Sequence, residues 1–264
     1  MSARKGTFSK SGTYYSTEGK GPKWLVLVHG VGLDLTIWDR LIPSLGSEFS
    51  ILRYDMLCHG RSPQEPESLT LPALVDQFED LIDELKLDEL TFAGFSMGGL
   101  LAMAYGIRKP KALSNLVIMN ANYKRPEATQ AAINERLQRA REEGPQSIIN
   151  AAIERWFTPE FQEAEPAVID ATRRRLNAND PNAFLAAYSI FVNEGHQVNG
   201  KLNLIEVPTL AITSEFDQNS TPEMAEMIAN EVPDGRSIVV PVLKHMAPVE
   251  GASIYAQHMR DFLL

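Results

Sequence analysis

The chain has 264 residues, 44% of them hydrophobic, and a formal net charge of −9. That length suits one large domain with room for an insertion, and the apolar content excludes a disordered chain. The acidic balance argues against a nucleic-acid partner, which needs a concentrated basic face, and leaves any recognition of an anion to local groups.

Short apolar runs alternate with longer amphipathic ones through residues 1–121. Trp24 to Val28 is a continuous apolar run, as expected of a strand buried on both faces. Ile51–Tyr54, Leu90–Ala93 and Leu116–Met119 repeat that pattern. Between the second and third runs, Leu71, Leu74, Val75, Phe78, Leu81, Ile82 and Leu85 recur at three- and four-residue spacing, which predicts a helix over Thr70–Leu87. This order predicts an α/β domain with right-handed crossovers and a mostly parallel sheet.

Residues 122–203 lack strand-like runs. Pro126, Pro145, Pro159, Pro166 and Pro181 separate segments of helical character, including Ala128–Glu143, Pro145–Trp156 and Pro166–Asn177, so a helical insertion is expected. The α/β rhythm then resumes over 204–264. Thr209–Thr213 and Ser237–Val240 read as strands, and Pro222–Asn230 and Ile254–Phe262 as helices.

Gly94-Phe95-Ser96-Met97-Gly98 matches G-x-S-x-G between a predicted strand and a predicted helix over Leu100–Arg108. A turn that tight strains the serine backbone and demands the two glycines, while standing Ser96 at the carboxyl edge of the sheet as a candidate nucleophile. The Met97 N–H is placed to donate to a developing oxyanion.

Of five histidines, His245 alone follows the last predicted strand and so shares that edge. It is the candidate general base. His29 and His59 read as loop braces, His196 lies in the insertion and His258 in the last helix pattern. Asp217 and Glu215 both follow the strand over Thr209–Thr213. Asp217 is favoured, because the loop must run past the strand end before a carboxylate meets the imidazole.

Together these residues resemble the α/β-hydrolase family over nearly the whole chain. His29-Gly30-Val31-Gly32, Tyr54-Asp55 leading into His59-Gly60-Arg61-Ser62, the Ser96 turn, Asp217 with Thr221-Pro222, and His245 trailing to Glu250 fall in the family's order. The resemblance implies the α/β-hydrolase fold with an inserted helical cap over 122–203, a Ser96–His245–Asp217 triad, and an oxyanion hole from the Val31 and Met97 amides. Within the family the chain is most similar to the 3-oxoadipate enol-lactonases, through Ser96-Met97-Gly98-Gly99, Arg53-Tyr54-Asp55 and Arg155-Trp156-Phe157-Thr158. It departs from them at Phe95, Lys244 and Leu57-Cys58.

The implied activity is hydrolysis of a small carboxylic ester or lactone. A carbon–carbon bond hydrolase of a diketone uses the same triad, and a non-catalytic ligand-binding receptor uses the same fold. Phe95, Arg155, Trp156 and Phe157 are candidate substrate contacts, Arg155 for a substrate carboxylate. Trp156 and Phe157 equally suit a role gluing the cap to the core. No cofactor or metal is expected, since the histidines are scattered. A lone cysteine, Cys58, no apolar signal core and no run near 18 apolar residues give the expectation of a cytoplasmic protein without membrane contact. The expected partner is a small molecule, and a homodimer stays open.

Overall fold

The continuous apolar runs become the inner strands of one eight-stranded sheet in the computed structural model, which describes residues 6–264. The strands are β1 (Thr7–Phe8), β2 (Tyr14–Gly19), β3 (Lys23–Val28), β4 (Phe49–Tyr54), β5 (Leu90–Phe95), β6 (Leu113–Met119), β7 (Thr209–Ser214) and β8 (Gly235–Val240). Their spatial order is β1-β2-β4-β3-β5-β6-β7-β8. The pairings β1/β2 and β2/β4 are antiparallel and all others parallel. The chain thus belongs to the α/β class, with a mostly parallel sheet flanked by helices. β1 and β2, at the antiparallel edge, are short and mix aromatic with polar residues, so no apolar run announced them.

Alternation along each inner strand feeds two cores. Val26, Val28, Leu52 and Tyr54 point to one face, and Leu25, Leu27 and Ile51 to the other. On the first face pack α1 (Leu71–Leu85), α2 (Met97–Ile107) and α8 (Pro222–Glu231) through Phe78, Leu101 and Ile228. On the second lies α10 (Ala252–Leu263) through Tyr255 and Met259, preceded by the short α9 (Ala247–Glu250). α1 begins where Thr70 accepts a hydrogen bond from Ala73 N–H, and it ends at Lys86 in the left-handed region.

Five helices run between β6 and β7 without a strand: α3 (Glu127–Glu143), α4 (Gln146–Trp156), α5 (Pro159–Ala164), α6 (Pro166–Asn177) and α7 (Pro181–Asn193). Proline in the first turn opens α5, α6 and α7, where its missing N–H costs nothing. The predicted helices fall on α3, α4 and α6. α5 and α7 were not anticipated: α5 is one short turn, and α7 (Pro-Asn-Ala-Phe-Leu-Ala-Ala-Tyr-Ser-Ile-Phe-Val-Asn) is apolar nearly all round because it is buried. No described helix is long and apolar enough to cross a membrane.

Register aligns the strand ends that matter. Gly94 lies opposite Val28 on β3 and Ile118 on β6, so the loops after β3, β5 and β6 leave the sheet at one level. Phe78 anchors the face below α1, its ring packed against Tyr54, Phe92 and Tyr105 with nothing exposed to solvent. A Phe78→Ala substitution is expected to cost about 3–5 kcal/mol, read as a lowered urea midpoint at unchanged slope.

Candidate active site

β5 passes into α2 through a single residue, Ser96, at φ 56° and ψ −112°. Ordinary side chains avoid this region, and holding a serine there costs of order 1–3 kcal/mol. Backbone crowding makes room for no alternative. A Cβ on Gly94 would strike the Gly98 carbonyl, and one on Gly98 would strike the carbonyls of Val28 and His29. The second clash is with β3, so Gly98 is fixed by the neighbouring strand as well as by its own turn. The Ser96 N–H donates to the Met119 carbonyl at 2.9 Å, tying the turn to β6. Met97 opens α2, so its N–H is one of those a helix leaves without an internal partner.

His245 and Asp217 reach Ser96 from the loops after β8 and β7. His245 Nε2 lies 3.2 Å from Ser96 Oγ, and His245 Nδ1 lies 2.7 Å from Asp217 Oδ2. All three side chains are buried. The other acid of the loop, Glu215, is exposed and accepts from Val242 N–H.

Asp217 is held by donors on both oxygens. Oδ1 accepts from the Asn219 and Ser220 amides at 2.9 and 3.0 Å, and Oδ2 accepts from Asn120 Nδ2 at 2.9 Å. Asn120 also donates to Ser214 Oγ at 2.9 Å and accepts the Tyr255 hydroxyl at 2.7 Å. Ser214 in turn donates to the Lys244 carbonyl at 2.6 Å, which steadies the histidine loop. The sequence reading missed Asn120, Ser214 and Tyr255. The one local signal is that Asn120 directly follows a strand at the functional edge, where its φ of 46° suits asparagine.

The loop after β3 closes over Ser96. A Cβ on Gly30 would sit 3.1 Å from Ser96 Cβ, so only glycine lets the loop approach this closely. Val31 borders the same cavity as Ser96. His29, fully buried behind the loop, bonds Gly30 O through Nδ1 at 2.8 Å and accepts from Met56 N–H through Nε2 at 3.1 Å. Only the neutral tautomer with its proton on Nδ1 makes both bonds. Burial lowers its pKa to about 4 and that of His59, packed edge-on against it, to about 3. Asp55 staples the same region by accepting from the Leu35 and Arg61 amides, and burial raises its pKa to about 6.

Above the serine lies a pocket whose empty space, open solvent at its mouth included, is about 540 Å³. Val31, Ser96 and His245 border it from the sheet side, and Ile149, Leu176, Phe184 and Phe191 from the inserted helices. Arg136, Arg155, Trp156, Tyr188 and Asn219 also border it. Arg155 and Trp156 therefore lie where a substrate contact was expected. Phe95 and Phe157 do not. Phe95 is 1% exposed and packed against the histidine, ring centroids 5.0 Å apart, in the core cluster of the sheet. Phe157 is fully buried and stacked on Phe161 at 5.4 Å, so it packs helix on helix. Exposed His196 bonds the Asn193 carbonyl, away from the cavity.

The histidine loop is bound to the inserted helices. Met246 N–H donates to the Trp156 carbonyl at 2.8 Å, Lys244 Nζ to the Glu154 carbonyl at 2.9 Å, and the Glu250 carboxylate accepts from Thr158. The Trp156 ring also lies 5.9 Å from the His245 ring. Trp156 thus both joins the insertion to the core and borders the cavity.

A family model described as the alpha/beta hydrolase fold matches residues 23–252. The (E)-2-((N-methylformamido)methylene)succinate hydrolase of Acinetobacter baylyi is 28% identical over 250 residues, covering 95% of this chain and 93% of that protein. The 3-oxoadipate enol-lactonase 2 of the same organism is 25% identical over 219 residues, 83% of this chain and 80% of its own. The crystal structure of the enol-lactonase from Burkholderia xenovorans superposes with a TM-score of 0.84 at 26% identity, over 95% of this chain and 96% of that one.

Two outcomes are expected from this geometry. Asn120→Ala removes one donor from Asp217 and orphans the Tyr255 hydroxyl, at a cost of about 1–3 kcal/mol in thermal or urea unfolding. Folding keeps His29 and His59 neutral while the unfolded chain takes up their protons near pH 6.5, so their contribution is complete above that pH and erodes as pH falls toward 4. Asp55 works the other way, since its raised pKa relieves a penalty as pH drops through 6. The histidine pair outweighs it, and a net loss of about 2 kcal/mol is expected between pH 7 and pH 5. Melting temperatures across that range check this, with a His59→Gln variant showing the shallower dependence.

Proposed function

The chain belongs to the α/β-hydrolase family, and from that premise we propose that it is a serine hydrolase cleaving a small carboxylic ester or lactone through an acyl-enzyme on Ser96. The observation that carries this reading is the buried relay of Ser96 Oγ, His245 Nε2, His245 Nδ1 and Asp217 Oδ2 at 3.2 and 2.7 Å.

In this mechanism the Ser96 oxygen attacks the carbonyl carbon as its proton passes to His245 Nε2. Asp217 stabilises the imidazolium through Nδ1–H. The Val31 and Met97 amides receive the oxyanion, each such donor being worth about 3 kcal/mol in the transition state. The carbonyl re-forms, the bond to the leaving oxygen breaks, and that oxygen takes the proton from His245. Water then gives a proton to His245 and attacks the acyl-enzyme, and its collapse returns the proton to Ser96. In a lactone the leaving alcohol or enol remains attached to the acid, so one product results.

Residues 122–203 act in this reading as a cap that sets specificity, with Arg155 and Trp156 at the substrate. The activities for which the relatives are named, hydrolysis of a substituted succinate and of a 3-oxoadipate enol-lactone, support a small oxygenated acid derivative. An enol-lactone of aromatic catabolism is the narrowest form of the proposal.

Purified protein assayed against 4-nitrophenyl esters, an enol-lactone and a ring-cleavage dienone tests the reaction class. Turnover of ester or lactone is expected, with Ser96→Ala and His245→Ala each lowering kcat by about five to six orders of magnitude and Asp217→Ala by about four. Turnover of the dienone alone would replace the reading with carbon–carbon bond hydrolysis. A fluorophosphonate should label Ser96 stoichiometrically and fail to label the His245→Ala variant. A folded wild-type protein that resists labelling would favour a ligand-binding receptor.

A further inference from the structure

The loop after β3 meets the inserted helices at one carbonyl. Residues 30–33 form a tight turn, closed by Leu33 N–H donating to the Gly30 carbonyl at 3.3 Å. Gly32 holds the left-handed position of that turn, at φ 74°. A Cβ on it would come within 2.8 Å of Phe184 and 2.9 Å of Leu176, so α6 and α7 rest on bare backbone there. At this contact Asn179, between the two helices, donates from Nδ2 to the Gly32 carbonyl at 2.8 Å.

The Asn179 amide is fixed in its orientation. Nδ2 also donates to the Leu176 carbonyl at 3.0 Å, one of those that the end of α6 leaves without an internal partner. Oδ1 accepts from Arg175 Nη2 at 2.8 Å. A flipped amide would set its oxygen against two carbonyls and its NH₂ against a guanidinium. Arg175 is held in turn by Asp34 Oδ2 at 3.3 Å, and Asp34 Oδ1 accepts from Thr36 N–H at 3.0 Å. Asn179, Arg175, Asp34 and Gly32 thus close a ring that joins the α6–α7 junction to the loop over Ser96.

A trans peptide is planar, and its C=O and N–H point in opposite directions. The Gly32–Leu33 peptide therefore accepts from Asn179 on one side and donates to the Gly30 carbonyl on the other. The Gly30–Val31 peptide repeats the arrangement. Its carbonyl accepts from Leu33 N–H and from His29 Nδ1, so the Val31 N–H points away from His29, which lies behind the loop. We propose that Asn179, held by Arg175, is a positioning residue that aims the Val31 amide at the oxyanion through two peptide planes joined by a hydrogen bond. The proposal rests on the hydrolytic reading of Ser96, and it gives the inserted helices a part in the chemistry besides selecting substrate. An oxyanion donor contributes through its pre-set direction, and a chain of hydrogen bonds polarises each member toward the next. His29 holds the first plane from beneath the loop, and Asn179 holds the second from above.

Exchanging the substrate's carbonyl oxygen for sulfur reads the oxyanion donors directly, because sulfur is a weak hydrogen-bond acceptor. The quantity compared is kcat/KM for 4-nitrophenyl butyrate divided by that for its thiono (C=S) analogue. Asn179→Ala is expected to lower kcat for the oxygen ester about tenfold to a hundredfold, less than the loss of a whole donor, with KM little changed. The oxygen-to-sulfur ratio should fall about fivefold or more, since the sulfur ester draws less on the hole. Arg175→Gln should move the ratio in the same direction by less, and it carries the test should Asn179→Ala not fold. Asn177→Ala is a like substitution on α6, where the side chain bonds the Arg173 carbonyl instead. It controls for damage to the inserted helices and should keep the wild-type ratio. A wild-type ratio in both the Asn179 and Arg175 variants, or an equal fall in Asn177→Ala, overturns the proposal and leaves the hydrolase reading standing. A wild-type protein that turns over neither ester sinks the hydrolase reading, and the proposal with it.

Discussion

The site hangs on one crowded turn. Ser96 occupies a backbone conformation that a serine avoids, and it stays there because β3, β5 and β6 leave no room for the chain to relax. Glycine at 94 and 98 is the condition for that crowding, since any side chain would have to overlap a carbonyl of the turn or of β3. The strain is local and the restraint comes from the whole parallel sheet. The register that brings Val28, Gly94 and Ile118 level is therefore also what fixes the serine hydroxyl in space.

Around that fixed point the polar groups fall into two buried networks on opposite sides. Asn120, Ser214, Ser220 and Tyr255 orient Asp217 and the loop carrying His245. His29, Asp55 and His59 brace the loop that brings Gly30 and Val31 against the serine. Both networks place polar atoms where burial penalises charge, so each holds its loop through the hydrogen bonds it does make. The imidazoles of the second network stay neutral for that reason.

The inserted helices are tied to the core where the histidine loop leaves the sheet. Bonds from Met246, Lys244 and Glu250 to residues 154–158 make the end of α4 and the His245 loop one unit. A movement of α4 would therefore displace the histidine as well as open the cavity. Arg155 and Trp156 sit on that same joint, so these cavity-lining groups are held by the segment that holds His245.

Periodicity, turn chemistry and chain order are local properties, and they were legible in the sequence: the inner strands, α1, the glycine-flanked serine, and His245 and Asp217 on loops at one edge. β1 and β2 were not, because short strands of mixed composition at a sheet margin carry no continuous apolar signature. α7 was hidden for the opposite reason, being apolar on nearly every side. Side-chain direction was beyond the sequence too. Phe95 and Phe157 flank residues at the cavity, yet pleat and helix phase turn both into the core. Asn120 showed its place only in three dimensions, since its partners Asp217, Ser214 and Tyr255 come from distant segments. Sequence alone determined which reactive side chains the chain carries and near which edge of the sheet they fall. Tertiary packing decided which groups touch, because contact depends on the register, the pleat and the helix packing of segments far apart along the chain.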